Sequence, residues 1–159
     1  MFDRLAKVRV FEGCTPDTLP LEQLLAEATP TVLPGLARDW SLVQAGLESP
    51  QSARDLLRSH YNGRPLQYNW GEPSTAGRPF YNADFTALNC EVRRGNLDQV
   101  LDELGACEHD PAPPTYYVAS LLVDYCLPGL RGQNDLGLER HGVSAPPSIW
   151  IGNRVTASC

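Results

Sequence analysis

Pro146-Pro147-Ser148-Ile149-Trp150-Ile151-Gly152-Asn153-Arg154-Val155-Thr156-Ala157-Ser158-Cys159 is the stretch on which the reading of this chain turns. Two prolines close a loop, and Ile149, Trp150 and Ile151 then form an apolar run suited to the centre of a sheet. A second extended segment follows Gly152. A central strand needs neighbours on both sides, because an unpaired row of N–H and C=O groups is an adhesive edge. Only a handful of residues follow, so the expectation is half a sheet.

Outward from there, Thr115-Tyr116-Tyr117-Val118-Ala119-Ser120-Leu121-Leu122 is apolar almost throughout, which predicts a strand covered on both faces. One of its two phenols faces inward and must find a partner for its hydroxyl, ordinarily a backbone group. Leu66, Tyr68 and Trp70 alternate with Gln67 and Asn69, giving a strand with one aromatic face. A polar turn from Gly71 to Pro79 leads to Phe80-Tyr81-Asn82. Lys7 to Glu12 and Thr31 to Leu33 read as two further short strands.

Helices punctuate these strands. Pro20 opens one that runs through Ala28, with Leu21, Leu24 and Leu25 on one face, until Thr29-Pro30 stops it. Ser41 caps a brief helix carrying Leu42 and Val43. The clearest runs from Pro50 to His60, with Ser49 as cap and Asn62-Gly63 ending it in left-handed geometry. Asn96 caps another, with Leu97, Val100, Leu101 and Leu104 on one face and Gly105 as its stop. Asp124 to Leu127 fits one helical turn, and Arg131 to Ala145 is a long polar, Gly-rich loop. Strands and helices in irregular order, mostly too close for crossover units, indicate an α+β fold in a single domain over residues 1–159.

Composition narrows the function. The net charge of −6, with one lysine among thirteen basic residues, argues against a nucleic-acid footprint and leaves arginines suited to carboxylates. Arg93-Arg94, the one adjacent basic pair, reads as a solvated start to the next helix. Five cysteines, Cys14, Cys90, Cys107, Cys126 and Cys159, form no Cys-x-x-Cys and read as small buried hydrophobes in a reduced, cytoplasmic setting. Met1 to Lys7 lacks the apolar core of a signal peptide, and no run approaches the roughly eighteen apolar residues that a membrane span needs.

Catalytic motifs are missing. The chain has no Gly-x-Ser-x-Gly elbow, no phosphate-cradling Gly-x-x-x-x-Gly-Lys, and no His-x-Asp or His-x-Glu pair. A mononuclear iron site needs two imidazoles and one carboxylate converging. The three histidines offer no such set: His60 lies on a helix face, His109 in a proline-bounded loop, His141 beside Arg140. Glu108-His109-Asp110 would send neighbouring side chains to opposite faces if extended. Cys126 lies in an apolar stretch that would raise its pKa, and Cys159 has no basic neighbour to activate it. Neither a catalytic nor a metal-ligating residue is assigned.

Thr31-Val32-Leu33-Pro34-Gly35-Leu36 with Trp40, Arg78-Pro79-Phe80-Tyr81-Asn82, Tyr116-Tyr117-Val118, Leu127-Pro128-Gly129-Leu130 and Ile149-Trp150-Ile151-Gly152-Asn153 occur in an order and spacing that are together informative. In that order the chain resembles the amino-terminal half of the cupin-like JmjC Fe(II)/2-oxoglutarate oxygenases, over nearly all residues beyond Val10. The resemblance implies the helical and strand lead-in and first strands of a double-stranded β-helix, or jelly-roll, with the barrel incomplete. It implies that Tyr117 reaches the distal carboxylate of 2-oxoglutarate. It also implies a threonine three residues before the first iron-binding histidine. Were that histidine to come directly after Cys159, the position would be Ala157, with Thr156 adjacent. Tyr81 and Asn82, with the Arg131–Ala145 loop, would border the substrate. Fe(II) and 2-oxoglutarate belong to the complete domain, and this chain alone is expected to bind neither and to be catalytically silent.

Two readings remain open. In one, the chain is the front part of a dioxygenase acting on a protein or small molecule. In the other, it is a non-catalytic interaction module that pairs through its edge strand with a second copy or another chain.

Overall fold

A four-stranded antiparallel sheet in the order β4-β3-β5-β6 organises the molecule. Its strands are β3 (Leu66–Gly71), β4 (Glu91–Gly95), β5 (Thr115–Leu122) and β6 (Ser148–Gly152). The structure is a computed structural model and describes residues 7–154 and 156. Before the sheet come β1 (Arg9–Val10), α1 (Leu21–Glu27), β2 (Thr31–Val32), α2 (Ser41–Glu48) and α3 (Pro50–His60). Two more helices, α4 (Leu97–Ala106) and α5 (Val123–Cys126), flank β5. β1 and β2 form a separate parallel ribbon, with Arg9 opposite Thr31 and Val10 opposite Val32.

Each helix starts where its local chemistry allows. Ser49 accepts a hydrogen bond from the Ser52 N–H at 2.9 Å, and Pro50, which has no N–H to satisfy, fills the first turn of α3. Asn96 accepts from the Gln99 N–H at 2.8 Å and so caps α4. The residues at i, i+3, i+4 and i+7 of α4, Leu97, Val100, Leu101 and Leu104, are all buried. They meet Leu57 of α3 and one face of the sheet, namely Leu66, Tyr68, Tyr116, Val118, Leu121 and Ile151. Leu127 and Leu130 close the same core beyond α5.

Residues opposite one another in antiparallel strands share a face, so register sorts the sheet. Trp70 pairs with Tyr116, and Val118 with Ile151, on the helix-covered side. Between Val118 and Leu121 the pairing skips a residue, and Ser120 takes φ +51°. This bulge returns Leu121 to the helical face opposite Ile149 although it stands three residues from Val118.

Several expectations need correcting. β5 is not covered on both faces: Ala119, Ser120 and Leu122 are exposed, because helices lie against one side of it only. Arg93 and Arg94 do not lead into a helix; they lie in β4, paired with Tyr68 and Gln67. Backbone pairing with β3 there overrides their polarity. Gly105 lies within α4, which continues to Ala106. Ser41 is the first residue of α2 rather than its cap, a position held by Trp40. Left-handed geometry after α3 occurs at Gly63 (φ +77°), since Tyr61 next to the helix is already extended. Met1 to Ala6, Ala157 and Cys159 lie outside the described residues.

Candidate functional site

The side of the sheet turned away from α3 and α4 carries Asn69, Val92, Tyr117 and Gly152 in one row across all four strands. Tyr117 is half-buried there, and its hydroxyl has no hydrogen-bond partner among the described residues. The Asn69 side-chain N–H reaches the Tyr117 carbonyl at 3.5 Å, and the Cys90 thiol faces Asn69 Oδ1 at 3.8 Å. Burial pushes the Cys90 thiol pKa up, so the group facing Asn69 is the neutral thiol.

Thr156 arrives on this side by a turn at the end of β6, closed by the Thr156 N–H on the Asn153 carbonyl at 2.9 Å. A Cβ at Gly152, projecting beside Tyr117, would lie 2.9 Å from the Thr156 Cβ. Glycine is therefore what lets the returning chain settle over the strand. The Thr156 hydroxyl lies 2.5 Å from Asn153 Oδ1 and 3.2 Å from the Tyr116 carbonyl. Its single proton lies between these two acceptors, of which the nearer, Asn153 Oδ1, closes the turn on itself beside β5. Asn153 in turn donates to the Pro114 carbonyl at 2.7 Å. Thr156 thereby sits over Gly152, the β6 residue paired with Tyr117.

Tyr116 occupies the other face. Its ring stacks on Tyr68 at 6.3 Å, and its hydroxyl donates to Glu103 of α4 at 3.2 Å rather than to a backbone carbonyl. Burial, then the Glu103 charge, raises its pKa. The sequence predicted the inward phenol but not its carboxylate partner, which lies on a helix thirteen residues earlier.

Tyr81 and Asn82 stand apart from this pair, in a loop held by a bridge between Tyr81 and Leu88. Asn82 Oδ1 accepts from the Thr86 and Ala87 N–H groups at 3.0 and 3.3 Å, so its amide oxygen is committed to the turn. Thr86 donates to Asp84 at 2.6 Å and, with its own N–H, lowers that carboxyl's pKa. Tyr81 is exposed, between Phe80 at 5.6 Å and Phe85 at 6.1 Å. Asn89, which the sequence did not single out, holds the base of this loop by accepting from the Phe80 N–H at 2.8 Å and donating to the Arg78 carbonyl at 2.9 Å.

The Arg131–Ala145 stretch contains two short 3-10 turns, Leu130–Gln133 and Leu138–His141. Arg131 gathers it, contacting Asp135 at 2.5 Å, Glu139 at 3.0 Å and Asp124 at 3.5 Å. The Gly137 N–H, followed by Arg131, holds the Asp135 carboxyl below the ordinary aspartate range.

The histidines do not converge. His60 Nδ1 lies 3.2 Å from the Pro128 carbonyl at the end of α3, His109 is in the loop after α4, and His141 ends a 3-10 turn. Among the described residues no group of three or more His, Cys, Asp or Glu side chains is placed to hold a metal ion. The described residues do not fit an iron seat. Of the cysteines, Cys14 and Cys126 are buried, Cys90 and Cys107 are half-buried, and all four are free thiols. Burial raises the Cys126 pKa, as its apolar surroundings led us to expect. Among the described residues, no helix is long and apolar enough to cross a membrane.

The described strands thus form an antiparallel sheet backed by helices on one face and open on the other. A family model of the cupin-like domain matches residues 16–159, and the chain belongs to that family. Comparison with curated proteins found no match.

Proposed function

We propose that this chain is the amino-terminal part of an Fe(II)/2-oxoglutarate-dependent dioxygenase of the cupin-like JmjC type, a hydroxylase or demethylase acting on a protein or small molecule. On this reading, residues 1–159 are one portion of a single jelly-roll domain that works in the cytoplasm, with neither nucleic acid nor membrane as partner. The observation that carries the proposal is the open-face position of Tyr117 opposite Gly152, the residue over which Thr156 folds back. A phenol with no partner among the described residues can donate to a carboxylate, and a donor bond to a charged acceptor is worth about 1.5–3 kcal/mol. Val92, Leu122 and Trp150 are 58, 46 and 55% exposed on the same side, apolar surface that a second sheet would cover.

When bound in a complete domain, Fe(II) with 2-oxoglutarate supplies the oxidising chemistry. This chain's contribution is to orient the co-substrate through Tyr117, with Thr156 setting the adjoining turn. Tyr81, Asn82 and the Arg131–Ala145 loop border the substrate. The test is an anaerobic titration of 2-oxoglutarate and Fe(II) into the chain, alone and joined to a candidate iron-binding half. The joined form should bind 2-oxoglutarate about tenfold more weakly as Tyr117→Phe. The 159-residue form should bind no Fe(II) tightly and turn over no 2-oxoglutarate. Tight Fe(II) binding by that form, or an unchanged affinity in Tyr117→Phe, would refute the assignment.

The second reading, an interaction module, is supported by β6. It is the last strand in the sheet order, its outer edge is unpaired among the described residues, and it carries the exposed Trp150. That reading requires concentration-dependent self-association, or capture of an extended peptide, that Trp150→Lys abolishes. Sedimentation velocity separates the two.

A further inference from the structure

On the opposite side of the sheet, a cavity of about 630 Å³ opens between the start of α3, the end of α4 and the end of β6. Small-ligand sites typically enclose about 300–1,000 Å³ and pair an apolar lining with a few placed polar groups. Here the floor is aliphatic, made of Leu57, Leu101, Leu104 and Ile151. The rim is polar, and two arginines stand on it. Arg54 is neutralised by Glu108 at 2.9 Å and also donates to Gln51 at 2.9 Å. Arg154 is different. Its guanidinium donates to the Glu108 carbonyl at 3.3 Å and the Asp110 carbonyl at 2.9 Å, and among the described residues it meets no carboxylate. His109 stands on the same rim. Among the described residues, Arg154 thus stands over an aliphatic hollow with no ion-pair partner.

We infer that this cavity is a binding site for a monocarboxylate with an aliphatic body, seated on Leu57, Leu101, Leu104 and Ile151 and held at its charged end by Arg154. Two features of the chemistry select that class. Arginine's planar fork matches a carboxylate's two oxygens, and the hollow beneath it rewards methylene groups at about 0.8 kcal/mol each. A dicarboxylate would put its second charge on the leucines, at a large desolvation cost. The site does not depend on the oxygenase reading, because it lies on the helical side of the sheet, away from the Tyr117 hydroxyl.

The probe is octanoate, titrated into the full 159-residue chain by calorimetry and followed by amide chemical shifts. Octanol and acetate are the controls for head and body. Octanoate should bind saturably, at least about tenfold tighter than either control. Shifts should concentrate in 50–57, 101–109 and 151–154 and leave Asn69 and Tyr117 unmoved. Arg154→Gln, at an exposed position, should weaken octanoate about tenfold and leave octanol unaffected. Ala53→Phe, which fills the hollow from α3, should abolish binding of both, with far-UV circular dichroism verifying the fold. Failure of octanoate to saturate, equal affinity for octanol, or wild-type affinity in Arg154→Gln would overturn the inference.

Discussion

The two faces of the β4-β3-β5-β6 sheet are built from the same strands yet meet different surroundings. Val118 on the helical face is 1% exposed, whereas Trp150, one residue from Val118's partner Ile151, is 55% exposed on the other. The helical face holds its residues by burial of aliphatic groups against α3 and α4. The open face holds its residues by hydrogen bonds to backbone, as at Asn69 and Thr156. Stability is therefore concentrated on one side, and the other is left to display groups. Substitutions on the two sides should differ accordingly.

The largest effect should come from the helical face. Leu101→Ala empties a site that is 1% exposed and should cost about 2–5 kcal/mol in urea denaturation. A loss below about 1 kcal/mol would mean that the α4 interface is looser than its burial indicates. Thr115→Val comes next, at the end of the open face that the turn through Gly77 covers. The hydroxyl of this 0% exposed residue accepts the Gly77 N–H at 3.1 Å, and stranding that buried donor should cost about 1–3 kcal/mol. Ser49→Ala, which removes the α3 cap, should cost about 1 kcal/mol by the same assay.

Beyond Thr115, the open face should respond weakly in stability and strongly in solubility. Trp150→Ser should change unfolding free energy by less than about 0.5 kcal/mol while raising the concentration at which light scattering detects association. A large loss of stability would show that Trp150 is part of the core after all. The smallest effect concerns Asp135. Because its folded pKa lies below its unfolded value, its contribution is fully present above about pH 4 and fades as pH falls through the folded value. Asp135→Asn should lower stability slightly at neutral pH, flatten the acid-side slope and leave the acid end nearly unchanged, as read by urea denaturation across pH.

What could be read in the sequence follows from how local each cause is. The bounds of α3, β5 and the start of α4 were legible because Ser49-Pro50, Pro113-Pro114 and Asn96 act on the next few residues. β4 was not, because the polar Glu91, Arg93 and Arg94 become a strand only through pairing with β3, more than twenty residues away. Gly105 failed as a stop because the helix continues one residue past it, to Ala106. At the candidate site, Tyr117 and Thr156 could be named from resemblance. Their shared neighbour is Gly152, whose role appears only when the turn folds back over it. The cavity rim had no sequence signal, since Arg54 and Arg154 are a hundred residues apart.

The displaced pairing at Ser120 has one consequence for how this surface could change over time. Val118 and Leu121 stand an odd number of positions apart, while their partners Ile151 and Ile149 stand an even number apart. Removing Ser120 would equalise the two counts and keep every aliphatic group on its present side, so a one-codon loss there should be survivable. Such a shortened strand would run flatter, and the sheet would lose the curl by which an open arc can become a closed wall.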